Sequence, residues 1–484
     1  MTTPASKTRR IAIDPLTRVE GHGKVTLLLD EHAHVTQARL HVVEFRGFER
    51  FIEGRPYWEV PVMVQRLCGI CPVSHHLAAS KALDAVVGAA PVSPTADRVR
   101  RLMHYGQVLQ SHALHFFHLA SPDLLFGFDA APERRSIAAL AAELPEVARQ
   151  GVLLRRFGQE CIRLTAGKRV HGTGSVPGGV NKAVTPAERA ALKADLPQVL
   201  AFAREGVARI AELYGARRAE LEAFGTAPSG LLSLVGRDGR LELYDGVLRA
   251  RDAHGAVLLD GVDPARYREH IAEGVKSWSY MKFPYLVSRG PDSGSYKVGP
   301  LARLQNCDFI HTPLAEAERA AFVAEHGGRP VHAPLAYHHA RLIELLHAAE
   351  VIGELLDDPD LSGDDLLRKG PRATEGVGVI EAPRGTLIHH YRVSPDDLVT
   401  HCNLIVSTTH NNQPMNDAIR EVARTHLDGH EPTEGLLNHL EVAIRAFDPC
   451  LSCASHALGQ MPLHVEVRGP GGALLGSRTK ESRG

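Results

Sequence analysis

The residues best suited to chemistry in this sequence are its cysteines. Seven are present, and four of them form two Cys-x-x-Cys pairs, Cys68 with Cys71 and Cys450 with Cys453. Such a turn lets two thiolates converge on one metal ion, and a histidine follows each pair within four residues. Two pairs of this kind predict a soft-metal site; inert buried thiols are the alternative.

The distance between the two pairs along the chain bears on the kind of site. Cys71 and Cys450 are 379 positions apart (450 minus 71), whereas structural zinc modules usually bring their pairs together across about 12–20 residues. A site shared by the two pairs would therefore close the whole fold. Thiolates bind zinc, copper and iron–sulfur centres, and the spacing does not choose among these metals. Structural zinc held by four cysteines stays open as an alternative.

The composition is that of a globular protein with no strong field. The chain has 484 residues, of which 44% are hydrophobic and 23% charged, with a net charge of −1. This balance gives no reason to expect nucleic acid or an anionic membrane surface as a partner. The N-terminus shows no apolar signal region, and no apolar run is long enough to span a membrane. We expect a cytoplasmic protein without a membrane span.

The elements that must position the cysteines are predicted from periodicity and capping signals. Residues 11–46 alternate polar and apolar side chains, which predicts a small N-terminal sheet. Ser93 followed by proline and the capping box at Thr185 open two long helices, the second interrupted at Pro197. A third long helix is predicted over residues 333–356. The fold class predicted is α+β, one large unit with a long-helix bundle core and small peripheral β-sheets.

Two segments carry hairpin signals. Residues 241–251 contain an Asp-Gly pair between alternating runs, which is typical of a tight β-turn. Residues 376–391 show two apolar runs separated by Pro383-Arg-Gly385, which predicts a second hairpin.

The cysteine motifs and several further segments resemble the large, catalytic subunit of nickel–iron hydrogenases. The similarity covers essentially the whole chain, and its motifs are highly specific. Within the family, the run from Val42 to the tandem His75-His76 is most similar to the soluble, bidirectional, NAD-reducing cytoplasmic branch. The segments that carry the resemblance are Thr17-Arg-Val-Glu-Gly-His22, Phe45-Arg-Gly-Phe-Glu49, Arg66-Leu-Cys68-Gly-Ile-Cys71-Pro-Val-Ser-His75, Ser175-Val-Pro-Gly-Gly-Val180, Glu381-Ala-Pro-Arg-Gly385 and Asp448-Pro-Cys450-Leu-Ser-Cys453-Ala-Ser-His456.

The resemblance implies a nickel–iron centre and reversible heterolytic cleavage of H2. All four cysteines would ligate nickel: Cys68 and Cys450 as terminal ligands, Cys71 and Cys453 as bridges to an iron that carries carbon monoxide and cyanide. The base that accepts the proton would be the Cys450 thiolate or Arg384, and we favour the thiolate because arginine is normally protonated. Glu20 matches the carboxylate that relays this proton outward.

The resemblance also implies residues around the metals. His75 would hydrogen-bond near Cys71, and Arg384 would lie over the open position of the centre. Thr408 would hydrogen-bond an iron cyanide, although Ser407-Thr-Thr409 departs from the Pro-Ser-Thr common in uptake enzymes. A magnesium ion, or another divalent ion, would be bound by the residues at three positions: Glu49, His456 and the backbone carbonyl of Leu404.

Electrons must leave through other chains. The three remaining cysteines are isolated, and the sequence has no Gly-rich dinucleotide fingerprint. We therefore expect a small partner subunit with iron–sulfur clusters and NAD-linked diaphorase subunits; NAD, NADP or a deazaflavin stay open as acceptors. A non-catalytic scaffold, such as the homologous subunit of respiratory complex I, is a competing reading, but that relative lacks the four thiolates.

The resemblance divides the chain at its last motif. Residues 1–456 would form the catalytic unit. A maturation protease would cut between His456 and Ala457 and release residues 457–484, a tail of 28 residues (484 minus 456).

Overall fold

A computed structural model describes residues 9–431, 433–456, 463–468 and 474–480, with side chains for 10–431 and 433–456. The predicted α+β class is confirmed: long helices form the centre and small sheets surround them. The described α-helices are α1 (Phe48–Ile52), α2 (Val60–Met63), α3 (Pro72–Val86), α4 (Pro94–Leu114), α5 (Ser121–Phe126), α6 (Ile137–Glu143), α7 (Pro145–Ala166), α8 (Pro186–Ala216), α9 (Arg218–Ala223), α10 (Gly290–Ser293), α11 (Pro300–Asn306), α12 (Pro313–Glu325), α13 (Ala336–Asp357), α14 (Ser407–His410), α15 (Asn412–His426) and α16 (Glu434–Ala446).

The helical core is built from α4, α7, α8 and α13, which pack on one another. Ser93 caps α4 by accepting a hydrogen bond from the amide of Ala96, and a capping box at Thr185 opens α8; caps of this kind stabilise a helix by about 1 kcal/mol. The predicted interruption at Pro197 is wrong, because α8 runs unbroken through it. Pro197 faces solvent, where water can satisfy the carbonyl that loses its partner.

The strands form small sheets at the periphery of the bundle. Two three-stranded sheets are antiparallel and have the orders β1-β2-β3 and β12-β13-β14. A four-stranded sheet has the order β11-β6-β7-β8, in which β11 pairs parallel with β6 and the other pairs are antiparallel. The described strands are β1 (Arg9–Ile13), β2 (Gly23–Leu29), β3 (Val35–Val42), β4 (Ser175–Val176), β5 (Gly179–Val180), β6 (Gly230–Val235), β7 (Val247–Arg251), β8 (Val257–Val262), β9 (Ile271–Gly274), β10 (Phe283–Leu286), β11 (Tyr296–Lys297), β12 (Glu375–Ala382), β13 (Gly385–Val393), β14 (Val399–Ile405), β15 (Leu463–Arg468) and β16 (Leu474–Lys480).

One of the two predicted hairpins is confirmed and the other is wrong. β12 and β13 form the hairpin predicted over 376–391, with Pro383 and Arg384 at its turn. The Asp-Gly pair in 241–251 makes no hairpin, since β7 pairs instead with β6 and β8. Residues 241–246 form a loop in which the Glu242 carboxylate accepts the amide of Tyr244. No helix in the described part of the chain has the length and hydropathy that crossing a membrane requires.

The segments that contain the N-terminal and C-terminal cysteine pairs meet beside the helical bundle. Cys71 stands at the N-terminus of α3, and Cys450 follows α16 after a turn in which Asp448 takes a left-handed φ of 56°. Residues Glu20 and Cys450 form an isolated parallel bridge, in which the amide of Leu451 donates to the carbonyl of Glu20 (2.9 Å). The fold therefore brings the N-terminal and C-terminal motifs into one place.

Candidate metal centre

Four buried thiols converge where the two Cys-x-x-Cys turns meet. The sulfur atoms of Cys68, Cys71, Cys450 and Cys453 all lie within 4.8 Å of one another. The Sγ–Sγ distances are 3.3 Å for Cys68–Cys450, 3.9 Å for Cys71–Cys453 and 2.7 Å for Cys450–Cys453, and none is a disulfide. Thiolates bound to one ion at about 2.3 Å lie roughly 3.8 Å apart. The arrangement fits a soft metal ion.

The electrostatics of the cluster favour a thiolate at one member. Hydrogen bonds from Cys450, Cys453 and Cys68 lower the pKa of Cys71 well below its ordinary value, although burial opposes them. A hydrogen bond from His75 adds to this effect. Burial raises the pKa of Cys450 and Cys453 well above the ordinary value. Among these three thiols the surroundings therefore favour the thiolate, the form that metal ligation requires, at Cys71.

A small cavity adjoins the thiols. Its walls come from the start of α3, the β12–β13 turn and the start of α14, and they include Cys71, His75, Arg384, Thr408 and Cys450. Four larger pockets lie elsewhere among the described residues, and none of them is lined by a cysteine; size alone therefore does not identify the site. We assign the site to the small cavity because it touches the thiol cluster.

Arg384 reaches this cavity from the hairpin turn. Its Nε donates to the backbone carbonyl of Asp448 (2.7 Å) and its Nη2 to the Asp448 carboxylate (3.0 Å). Its Nη1 is buried and has no protein partner. Burial alone would lower the pKa of Arg384, but Asp448 and the cysteine thiolates hold it well above its ordinary value. Arg384 is thus a fixed cation with one donor free to act in the cavity.

Glu20 contacts the thiol cluster from the N-terminal side. Its Oε2 accepts hydrogen bonds from the Sγ of Cys450 (2.9 Å) and from the amide of Ser452 (3.2 Å). The side chain is half-buried. A carboxylate in hydrogen-bond contact with a thiol can take up and release a proton there.

His75 and Thr408 lie on the other walls of the cavity. The Nδ1 of His75 is paired with the Nε2 of buried His389 (3.1 Å), whose Nδ1 is paired with the Tyr391 hydroxyl (2.6 Å). The Thr408 hydroxyl accepts the amide of Cys450 (2.9 Å), so its own hydrogen is free to be donated into the cavity.

Glu49 lies in a buried group of charges behind the thiols. Its carboxylate accepts the amide of Leu404 (2.9 Å) and lies 3.2 and 3.3 Å from the Lys282 ammonium. With its amide oriented to satisfy both atoms, Asn403 donates to Glu49 (3.0 Å) and Glu273 (3.1 Å). Burial raises the pKa of Glu49, and Lys282 opposes the rise. The contact seen between Glu49 and Leu404 uses the Leu404 amide rather than its carbonyl.

His456 belongs to the same neighbourhood and has no protein partner for either ring nitrogen. Burial, with the charge of Lys282 adding to it, lowers the pKa of His456 to about 3. The ring is therefore neutral, which is the form that ligates metal ions. Two orphaned nitrogens in a buried imidazole fit a ligand of a bound cation.

The sequence analysis assigned no role to two charged residues of this region, Asp448 and Lys282. Asp448 pairs with Arg384, and its place two residues before Cys450 is the signal that identifies it as part of the motif. Lys282 bridges Glu49 and Glu273, and nothing in its local sequence marks it, because its burial arises only from the tertiary fold.

Comparison with known proteins identifies the class to which this site belongs. A family model described as nickel-dependent hydrogenase matches residues 46–148 and 249–456, and one described as HoxL-like matches residues 10–45. The chain belongs to the nickel-dependent hydrogenase family, and its activity is that of an oxidoreductase acting on hydrogen. The thiol cluster fits the nickel–iron site of that family, and family membership favours hydrogenase chemistry over a non-catalytic scaffold or a structural zinc protein.

Individual relatives sharpen the comparison. The chain is 47% identical to the NAD-reducing hydrogenase HoxS subunit beta of Cupriavidus necator, covering 98% of this chain and 100% of that protein. A crystal structure of an NAD+-reducing [NiFe]-hydrogenase in the H2-reduced state matches with a TM-score of 0.92 and 58% identity, over 93% of this chain and 100% of that one. The Ni-Fe-Se hydrogenase of Desulfovibrio vulgaris Hildenborough matches with a TM-score of 0.75 and 26% identity, over 93% and 100%.

Proposed function

We propose that the chain is the catalytic subunit of an NAD-linked hydrogenase, which cleaves H2 reversibly and passes electrons through a cluster-bearing partner to NAD(P). One observation carries this proposal: four thiols from opposite ends of the chain meet within 4.8 Å beside a cavity into which a fixed arginine points. When bound, the nickel–iron centre supplies the open position at which hydrogen is split heterolytically.

The four thiols divide into two roles. Cys68 and Cys450 would hold nickel as terminal ligands, and Cys71 and Cys453 would hold both nickel and iron. The iron would carry carbon monoxide and cyanide as small ligands. The free hydroxyl hydrogen of Thr408 is available to one of them, and His75 stabilises the Cys71 thiolate.

The proton leaves through Cys450 and Glu20. The Cys450 sulfur is the first acceptor, because the raised pKa of Arg384 keeps that guanidinium protonated and unable to act as a base. The Glu20 carboxylate, 2.9 Å from this sulfur, takes the proton onward. Asp448 holds the Arg384 guanidinium through Nε and Nη2, which keeps the unpartnered Nη1 and its positive charge at the cavity.

A divalent cation, magnesium by its ligand chemistry, is bound behind the thiols by Glu49, His456 and the carbonyl of Leu404. The support is the half-buried Glu49 carboxylate and the His456 imidazole, whose two nitrogens lack partners; the charge of Lys282 acts on both side chains. Carboxylate and carbonyl oxygens are ligands that magnesium prefers.

The relatives support a proposal for the electron acceptor and for the partner subunits. We propose a small subunit with iron–sulfur clusters and diaphorase subunits that reduce NAD. The name of the Cupriavidus necator relative, a subunit beta of an NAD-reducing hydrogenase, supports NAD as the acceptor and an assembly of several subunits. All seven cysteines are free thiols, which fits the reducing cytoplasm as the place of work.

The catalytic unit comprises residues 1–456, and a maturation protease removes 457–484. Ala457, on the far side of the proposed cut, lies outside the described residues. The solved NAD+-reducing relative is covered completely by 93% of this chain, and the 7% without a counterpart has room for the 28-residue tail (484 minus 456). Mass spectrometry of active enzyme should find a chain ending at His456; active enzyme that retains Ala457 would contradict the cut.

Metal analysis and activity together test the proposal. The chain, purified in its native assembly, should contain nickel and iron and reduce NAD with H2. C450S should lose nickel and activity. C307S should keep both, because the buried Cys307 thiol makes a hydrogen bond to the Leu304 carbonyl and lies outside the thiol cluster. Zinc in place of nickel in the wild-type assembly would overturn the proposal.

A further inference from the structure

The hairpin turn that carries Arg384 is held from behind by a second buried arginine, Arg303 of α11. A guanidinium has five N–H donors, and all five of Arg303 are used. Its Nη1 donates to the carbonyl of Ala382 (2.8 Å) and to Glu381 (2.9 Å), and its Nη2 donates to the carbonyl of Pro383 (3.2 Å). The remaining two donors make a bidentate pair with Glu344, each at 2.6 Å.

The two carboxylates that face Arg303 are themselves fully engaged. Glu344 also contacts the Nε2 of His112 (3.0 Å). The second oxygen of Glu381 accepts the amide of Leu234 (2.8 Å) and the hydroxyl of Thr386 (2.7 Å). Glu381 lies next to the last residue of β12 and Thr386 is the second residue of β13, so the network holds the hairpin on both sides of Arg384.

Close backbone packing leaves the turn little room to move. A Cβ at Gly385, whose φ is +135°, would lie 2.3 Å from a methyl group of Val298. A Cβ at Gly299, whose φ is +97°, would lie 3.0 Å from the carbonyl oxygen of Arg384. The segment that begins α11 is therefore pressed against the turn that Arg303 binds.

We propose that Arg303 is a positioning residue for catalysis: by binding the Ala382 and Pro383 carbonyls, it sets where the Arg384 guanidinium lies over the metal cavity. Arg303 does not itself line that cavity, so it acts on the site through the turn that carries Arg384, whose Ala382 and Pro383 carbonyls it binds. The proposal rests on the proposed function, since it assigns Arg303 a part in the same reaction. Lysine cannot replace it, because an ammonium has three donors and no planar fork.

A general effect on folding is the competing explanation, and the chain offers a matched control. Arg100 is equally buried, pairs with Asp84, and donates to the carbonyls of Val176 and Gly179. It clamps a different hairpin, β4–β5, and does not contact the Arg384 turn. R100K should therefore destabilise the fold in the same manner without displacing Arg384.

The test is a double-mutant cycle on the nickel-loaded chain in its native assembly. We expect R303K to lower H2 turnover about 10- to 100-fold, as misplacement of a catalytic group does, with nickel content unchanged. In the R384K background, R303K should cause no further loss, because the group through which it acts is already gone. R100K should lower the unfolding temperature and leave turnover unchanged.

Infrared spectra provide a readout that folding alone does not move. R303K and R384K should each shift the bands of the iron-bound diatomic ligands, and R100K should not. Equal losses from R303K in the wild-type and R384K backgrounds, or unshifted bands in R303K, would overturn the positioning role. If R303K does not fold, T386V, which removes one hydrogen bond of the same network, carries the same cycle. Absence of H2 turnover and of these bands in the wild type would instead refute the proposed function.

Discussion

Replacement of Glu20 by glutamine tests the proton path most sharply. The carboxylate accepts hydrogen bonds from the Cys450 sulfur (2.9 Å) and the Ser452 amide (3.2 Å). Glutamine has the same shape, and its carbonyl oxygen can still accept one of these bonds. It cannot take up a proton, however, so the variant separates the geometry of the contact from its acid–base chemistry.

The expected magnitude follows from the role assigned to the carboxylate. A positioned acid or base contributes about 10²- to 10⁴-fold to a rate, so E20Q should lower the exchange of H2 with D2O by a factor in that range. E20Q should lower the free energy of unfolding by no more than about 1–2 kcal/mol, because a charged acceptor of a half-buried side chain is replaced by a neutral one in its hydrogen bonds. Nickel content should not change, since Glu20 is not a thiol ligand.

The assay is isotope exchange followed by mass spectrometry, alongside nickel analysis of the same samples. E143Q, which alters an exposed carboxylate paired with Arg134, controls for loss of negative charge and should match the wild type. If E20Q exchanged isotopes at the wild-type rate with full nickel content, Glu20 would not lie on the proton path and the reasoning from its contact with Cys450 would be refuted.

Three further predictions concern turnover, the second cation and acid stability. R384K should lower H2 turnover at least about 10²-fold at unchanged nickel content; wild-type turnover would contradict the role of its free Nη1. E49Q should lose the divalent cation on elemental analysis while nickel is retained, and equal magnesium in both proteins would refute that site. Burial lowers the pKa of His104 and His347 from 6.5 to about 3, so the unfolded chain binds protons first as pH falls below 6.5, and each histidine should remove up to about 1.4 kcal/mol of stability per pH unit between 6.5 and 3. Denaturant unfolding should show a lower midpoint at pH 5 than at pH 7, and a smaller pH dependence in H347Q; equal midpoints would contradict this.

Local sequence signals predicted an element correctly where the contacts that form it are made between residues close together in the sequence. The hairpin over 376–391 follows from alternating side chains around a Pro383–Gly385 turn, and its partner strand is adjacent in sequence. The Asp-Gly signal within 241–251 is of the same kind and fails. There β7 takes its partner from Gly230–Val235, and burial of Leu241 and Leu243 holds the intervening residues in a loop. Pairing with a distant strand leaves no trace in a short window.

The candidate site likewise contains residues that local sequence signals predicted and residues that they did not. The spacing of the thiols within each pair is local, and it predicted both halves of the cluster before the fold brought them together. Lys282 and Arg303 are also central, but each is a cation in an unremarkable local context. Their importance comes from burial against carboxylates. Lys282 contacts Glu49, 233 positions away, besides Glu273, and Arg303 contacts Glu344 and Glu381, 41 and 78 positions away. Sequence periodicity does not predict such contacts.

The infrared spectrum of the wild-type assembly tests the central claim most directly, because it reports on the metal centre rather than on the fold. If the four thiols hold nickel and an iron with carbon monoxide and cyanide, the purified assembly should show the stretching bands of both ligands, and those bands should shift under H2. A folded, fully assembled protein with no such bands would contradict the account, whatever metal its cysteines were then found to bind.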